Sequence, residues 1–235
     1  MTIGIYVTIG TYMTPGHKSN FASLIDALSG EDLPHLNKMG RRERRAAETR
    51  LRLFRCALQL FAERGLPNVT VENITEAADV GKGTFFNYFD SKEGVLAVMA
   101  EIQLGKVREA LEQATNGNRP IQSVFRRLFE RVAEEPGRSP DLARAFLASF
   151  LASEAIRHQT GSSMAEGRRM AGDIVSIGQK RGEIDPKLKK EQVALFLQQT
   201  FLGTLLLWSL HSEQSLQTSA ETAFQFFWRA IAAHS

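Results

Sequence analysis

The stretch GKGTFFNYFDSKEG, Gly81 to Gly94, holds three phenylalanines and a tyrosine within five residues, directly after a glycine-lysine-glycine-threonine run. Residues of these types could cradle a nucleotide phosphate, or they could present polar groups from a helix to a nucleic acid. The phosphate-loop chemistry fails on spacing. It needs a glycine at position 76, where Glu76 stands, a serine or threonine directly after Lys82, where Gly83 stands, and a preceding strand, which the sequence lacks. Wound as a helix over Lys82 to Phe89, at about 100 degrees per residue with Phe85 as the core direction, the stretch puts Phe89 about 40 degrees away on the same face. Gly83 and Asn87 then lie almost opposite, with Lys82 and Phe86 on one flank and Thr84 and Tyr88 on the other. An outward glycine costs about 1 kcal/mol relative to alanine, so Gly83 points to a close backbone approach of the kind a major groove requires. Asparagine can pair with the edge of adenine, lysine with that of guanine, and the threonine methyl can meet that of thymine, while Tyr88 and Lys92 are placed to hold phosphates. A solvated helix face with ordinary polar residues has the same pattern, and the helix alone does not decide between the two.

Charge placement shifts the balance. The formal net charge is only +3, so attraction to a polyanion must come from clustering and not from the total. Between Met39 and Gly65 there are eight arginines against three glutamates, and Arg41, Arg42, Arg44 and Arg45 crowd into five residues. A basic run ahead of a groove-facing helix is the electrostatic footprint of a DNA-binding arm.

The elements that must position these residues are helical. From Arg41 onward the punctuation (RGLPNVT, DVGKG, FDSKEG, NGNRP, EEPGRSP, QTGSS, RGEIDP, HSEQS) separates about nine helices, with no convincing strand. The first, near Glu43 to Arg64, carries Leu51, Phe54, Leu58 and Phe61 on one face and stops at Gly65 before Pro67. Thr70 stands at the N-cap of a short helix whose Val71, Ile74 and Ala78 point inward. A glycine-bearing turn at Asp79, Val80 and Gly81 leads into the Lys82 helix, and Asp90 with Glu93 is expected to open the next as a capping box. Two short helices joined by a tight turn and braced by longer ones outline a helix-turn-helix.

VTVENITEAADVGKGTFFNYFDSKEGVL, together with FAERG at Phe61 to Gly65, resembles the N-terminal DNA-binding module of TetR-family (AcrR-like) transcriptional regulators, from about Arg45 to Leu96 without a gap. The resemblance implies an all-α protein with an N-terminal three-helix helix-turn-helix domain and a C-terminal helical ligand-binding and dimerisation bundle. It implies a homodimer on a palindromic operator of double-stranded DNA, working as a repressor released by a small apolar effector, with no cofactor. Carried over, Lys82, Gly83, Thr84 and Asn87 correspond to base-reading positions, and Thr70, Tyr88 and Lys92 to phosphate contacts. Many relatives have a tyrosine at position 86, whose hydroxyl meets a phosphate; Phe86 here offers only an apolar contact, to sugar or a thymine methyl. Residues 1–38 form a longer tail than the family usually carries. They are expected to be a loose segment, with translation starting at Met39 or near Met13. Residues 39–92 then form the DNA-binding domain and 93–235 the ligand-binding and dimerisation domain.

In that second part, helices are expected near Ile121 to Glu134, Pro140 to His158, Ser163 to Arg181, Lys187 to His211 and Ser215 to Ala233. The last two are apolar on two faces, so one face can meet the core and the other a symmetry mate in a four-helix dimer interface. Phe146, Phe150, Met170, Gln199, Phe201 and Trp208 are candidate ligand-lining residues. Gln198, Gln199 and Thr200, polar within an apolar helix, mark a pocket or a hydrogen-bonded interface, because unpaired burial is costly. The five histidines are scattered without metal or catalytic spacing, and Cys56 is the single cysteine, which excludes an internal disulfide and a cysteine-pair zinc site. No signal peptide is evident, and the apolar stretch Ala194 to His211 is interrupted by glutamine, threonine and glycine, so a cytoplasmic protein without a membrane span is expected. A helical adaptor would account for the bundle but not for the arginine run beside a groove-facing helix. An enzyme has no site in the sequence.

Overall fold

The computed structural model describes residues 41–150 and 154–233. The expected tail at 1–38 and the candidate starts at Met13 and Met39 lie outside the described residues. The chain divides into two compact units, Met1–Arg52 and Leu53–Ser235. In the first, the described residues are the opening turns of helix α1 (Arg41–Arg64).

From Leu53 onward α1 turns Leu53, Phe54, Ala57 and Phe61 into the core, all fully buried. Complete burial of each phenylalanine contributes about 1.5–3 kcal/mol relative to exposure. The helix ends at Gly65, whose φ of 75° is a left-handed conformation that costs glycine nothing. A short 3-10 turn, Leu66–Asn68, carries Pro67 and leads to α2 (Val71–Ala77). Thr70 caps α2 as expected, with a partner that the sequence reading missed. Its hydroxyl accepts from Asn73 N at 3.2 Å, and the Asn73 side chain accepts from Thr70 N at 3.0 Å, closing a capping box. The Cys56 thiol, half-buried on α1, donates to the Ala77 carbonyl at 3.4 Å and so ties α1 to the end of α2.

The turn into α3 (Lys82–Phe86) differs from expectation. Its positive φ falls on Asp79, at 50°, whereas Gly81 is the extended N-cap of α3. Aspartate tolerates this region because its short polar side chain can bond locally. The expected helix to Phe89 stops at Phe86, and the chain tightens there, with both Tyr88 N and Phe89 N donating to Phe85 O at 2.9 Å. Helix α4 (Lys92–Asn116) is capped by Ser91, whose hydroxyl accepts from Gly94 N at 3.1 Å. Asp90 and Glu93 therefore form no capping box, because the helix begins one residue later than that spacing requires.

Five further helices complete the described chain: α5 (Ile121–Ala133), α6 (Pro140–Ser149), α7 (Glu154–Lys180), α8 (Lys190–Leu210) and α9 (Leu216–Ile231). Helix α7 packs along α4 and α8, α9 lies on α8 and α5, and α6 lies on α8 and α4. Phe125 and Phe129 of α5 meet Phe224 and Phe227 of α9, with the Phe129 and Phe224 rings 5.5 Å apart. A single isolated bridge, Ile184 to Ala232, ties the RGEIDP turn to the end of α9, and no strand occurs among the described residues. Two expectations are corrected here. Helix α6 ends at Ser149 instead of reaching His158, and α7 runs unbroken through Gly161, Ser162 and Ser163, where QTGSS was expected to interrupt the chain. Glycine costs a helix about 1 kcal/mol, which packing against α4 and α8 outweighs. Helix α8 is long and apolar enough to cross a membrane by length and composition alone. Its Val193, Ala194, Leu205 and Trp208 are nevertheless buried by neighbouring helices.

Candidate nucleic-acid interface and ligand cavity

Helix α3 is too short to be stable alone, and its aromatic residues hold it in place. Phe85 is completely buried and Phe89 nearly so, their rings 5.4 Å apart, Phe89 reaching the core from the turn that follows the helix. Phe86 stands edge-on to Phe85 at 5.4 Å and is 48% exposed. Lys82, Gly83 and Asn87 are exposed, and Thr84 and Tyr88 half-exposed. No protein atom beyond its local backbone lies within 4 Å of where a Cβ on Gly83 would sit, so this glycine leaves open space on the outer face. Polar groups on a rigid apolar anchor, with a gap between them, can meet the floor of a groove.

The charged groups around α3 are partly engaged already. Lys82 Nζ pairs with Glu72 of α2, and this hydrogen bond is the leading cause of a Glu72 carboxyl held below its ordinary value of 4.5. The Thr70 hydroxyl adds to the same effect on Glu72. Two groups expected to face DNA thus face one carboxylate. Lys92, expected on a phosphate, points inward: its Nζ donates to Leu66 O and to Val69 O, each at 2.8 Å. Of its three N–H donors only one is left for a phosphate. Arg41, Arg42, Arg44 and Arg45 are exposed on the first turns of α1, with Arg44 in a long 3.9 Å pair to Glu48.

A cavity of about 140 Å³ lies among α4, α5, α6, α7 and α8. Of the candidate lining residues, Phe146, Phe150 and Phe201 border it, together with Phe129, Leu104 and Val107. The other three candidates do not. Met170 is buried in the core, Gln199 is exposed, and Trp208 is buried with its Nε1 donating to Gln214 O at 2.7 Å. Gln199 sits one residue from the mark, since the glutamine in the wall is Gln198. Sequence reasoning missed Gln103, Thr160, Ser163 and Arg168, which also line the cavity. Arg168 stands beside Arg169 in a helix rich in polar residues, where nothing in the sequence separates a wall arginine from a surface one. Among the described residues no group of histidine, cysteine, aspartate and glutamate could hold a metal ion.

A short outward helix anchored on a helical core, preceded by a capped helix and a tight turn, defines a helix-turn-helix protein. Residues 53–99 match the family model described as bacterial regulatory proteins, tetR family. A curated relative, the HTH-type transcriptional regulator TcmR of Streptomyces glaucescens, is 38% identical over 101 residues, 42% of this chain and 45% of TcmR. The HTH-type transcriptional repressor KstR2 of Mycolicibacterium smegmatis is 26% identical over 66% of this chain and 76% of its own length. KstR2 of Rhodococcus jostii matches over 43% of its length, so the chain spans less than half of the first curated relatives it resembles. Among solved structures, the fatty acid degradation regulator FadR of Bacillus halodurans superposes with a TM-score of 0.63 over 77% of this chain and 94% of its own, at 17% identity. Thermus thermophilus FadR, a repressor solved in complex with lauroyl-CoA, gives 0.54 over 76% and 92%, at 25% identity.

Proposed function

We propose that the protein is a sequence-specific DNA-binding transcriptional regulator, a repressor that a small, mostly apolar ligand releases from its operator. The observation that carries this is α3 itself, with Phe85 and Phe89 sealed into the core and Lys82, Gly83 and Asn87 turned outward beside Phe86. Residues 39–92 act as the DNA-reading module, with Lys82, Gly83, Thr84 and Asn87 on base edges and Thr70, Tyr88 and the arginine run on phosphates. Residues 93–235 hold the effector and the dimer contact. The curated relatives named as transcriptional regulators and repressors support the reading.

Operation on a palindrome needs a two-fold dimer, with recognition helices about 34–36 Å apart. An apolar face on α8 and α9 supports one: Leu207 is 65% exposed and Phe226 68%, with Leu195, Phe196, Leu206 and Leu210 also open. Several large apolar side chains left open on two adjacent helices favour an interaction site. Coupling between ligand and DNA has a physical route. Phe146 of α6 lines the cavity, and the same helix touches the Leu66–Asn68 turn that Lys92 clamps below α2. A ligand that favours one placement of α6 acts on the base of the helix-turn-helix.

The test is binding of the purified protein to the DNA around its own gene across a salt series. Specific binding that weakens steeply with salt is expected, and a flat response would reduce the protein to a helical ligand-binding module.

A further inference from the structure

The cavity carries two polar features that the described residues leave incomplete. The first is Arg168. Its Nη1 donates to Gln198 Oε1 at 2.8 Å, and Gln198 Nε2 donates in turn to Met164 O at 3.3 Å. No carboxylate among the described residues lies within ion-pair distance of Arg168, and a guanidinium does not lose its proton, so an uncompensated positive charge borders an otherwise apolar space. The second is Gln103. Its Nε2 donates to Glu135 Oε2 at 3.3 Å, and the same Glu135 oxygen accepts from the buried Lys106 at 2.5 Å. Because an ionised carboxylate only accepts, the amide is fixed with its nitrogen towards Glu135. That leaves Gln103 Oε1 without a partner, but buried too completely to present surface to the cavity, so it is not a contact for a ligand. The apolar wall is aromatic: Phe146 and Phe150 meet edge to face at 4.8 Å, and Phe129 and Phe201 at 6.0 Å.

We propose that the cavity binds an aromatic carboxylic acid. The carboxylate pairs with Arg168 and the rings lie among the phenylalanines. This inference rests on the effector reading of the cavity and gives it a ligand class.

Calorimetric titration of the full chain with 2-naphthoate, 2-naphthalenesulfonate and 2-naphthol tests it. Naphthoate should bind most tightly, and neutral naphthol at least about tenfold more weakly. Naphthalenesulfonate matching naphthoate would keep the anionic class and overturn the carboxylate. Arg168→Met should remove the advantage of the acids over naphthol, and Arg168→Lys should keep part of it. Thermal melts show whether each variant is folded, and if one is not, the ligand series on the unaltered chain decides alone. Equal affinity for acid and naphthol, binding by none of the probes, or a folded Arg168→Met that holds acids unchanged overturns the proposal. The same ligands are then added to the protein on DNA. The expected ranking without any change in DNA affinity leaves the ligand chemistry standing and sinks the effector reading. A change in DNA affinity without the ranking does the reverse.

Discussion

Glu72 holds the Lys82 ammonium beside α3, and the Thr70 hydroxyl supports the ionised form of that carboxylate. DNA must displace this carboxylate to recruit Lys82. Glu72→Gln is therefore expected to tighten DNA binding, because Lys82 then reaches a base edge without leaving a carboxylate. An affinity equal to that of the unaltered protein would show that Lys82 stays off the DNA. The pair also has a pH signature. The folded pKa of Glu72 is lowered, so its contribution to stability is present above the ordinary value of 4.5 and is lost as the pH falls through the lowered one. The melting-temperature gap between the protein and Glu72→Gln should close over that acidic range, with the two converging at its end. Asn87→Ala, by contrast, should relax preference at particular bases while sparing overall affinity, as read by selection from random DNA. At this scale the core role of Phe85 was legible from helical periodicity, whereas Phe89 reaches the same core from the turn after α3. The role of Glu72 was not legible, because its partner lies ten positions away and across a turn whose geometry depends on the left-handed Asp79.

Among the elements, the helix-turn-helix is held by clamps more than by helix propensity. Lys92, at the first residue of α4, satisfies Leu66 O and Val69 O and so fixes the approach to α2. Lys92→Met is expected to lower stability by about 1.5–3 kcal/mol, the range for hydrogen bonds to a charged group, in denaturant unfolding. A variant that merely lost a phosphate contact would weaken DNA binding and leave the unfolding midpoint where it was. The ends of helices were legible wherever a cap was local, as at Thr70. They were misread where tertiary contacts chose between neighbours: Ser91 displaced Asp90 as the cap of α4, and α7 passed through a glycine-serine segment that looks like a break. The cavity was half legible for a related reason. Its phenylalanines announce themselves in any apolar stripe, whereas Gln103 and Arg168 gain meaning only once α4 and α7 lie side by side.

For the molecule as a whole, the open apolar residues of α8 and α9 are where the proposed dimer contact is tested. Leu207→Asp combined with Phe226→Asp should turn a dimer into a monomer in size-exclusion chromatography with light scattering at micromolar concentration, with helix content preserved. A monomeric mass for the unaltered protein would remove the two-fold from the proposed operator complex. The contact of α6 with both the cavity wall and the Leu66–Asn68 turn has a further consequence. Free energy passed through one shared helix has no preferred direction. If the ligand lowers operator affinity by some factor, the operator must lower ligand affinity by the same factor, so a strong operator is an antagonist of its own inducer. Promoters with tighter sites would then demand higher ligand concentrations before they open, and one protein could release a set of genes in a graded order set by the DNA alone.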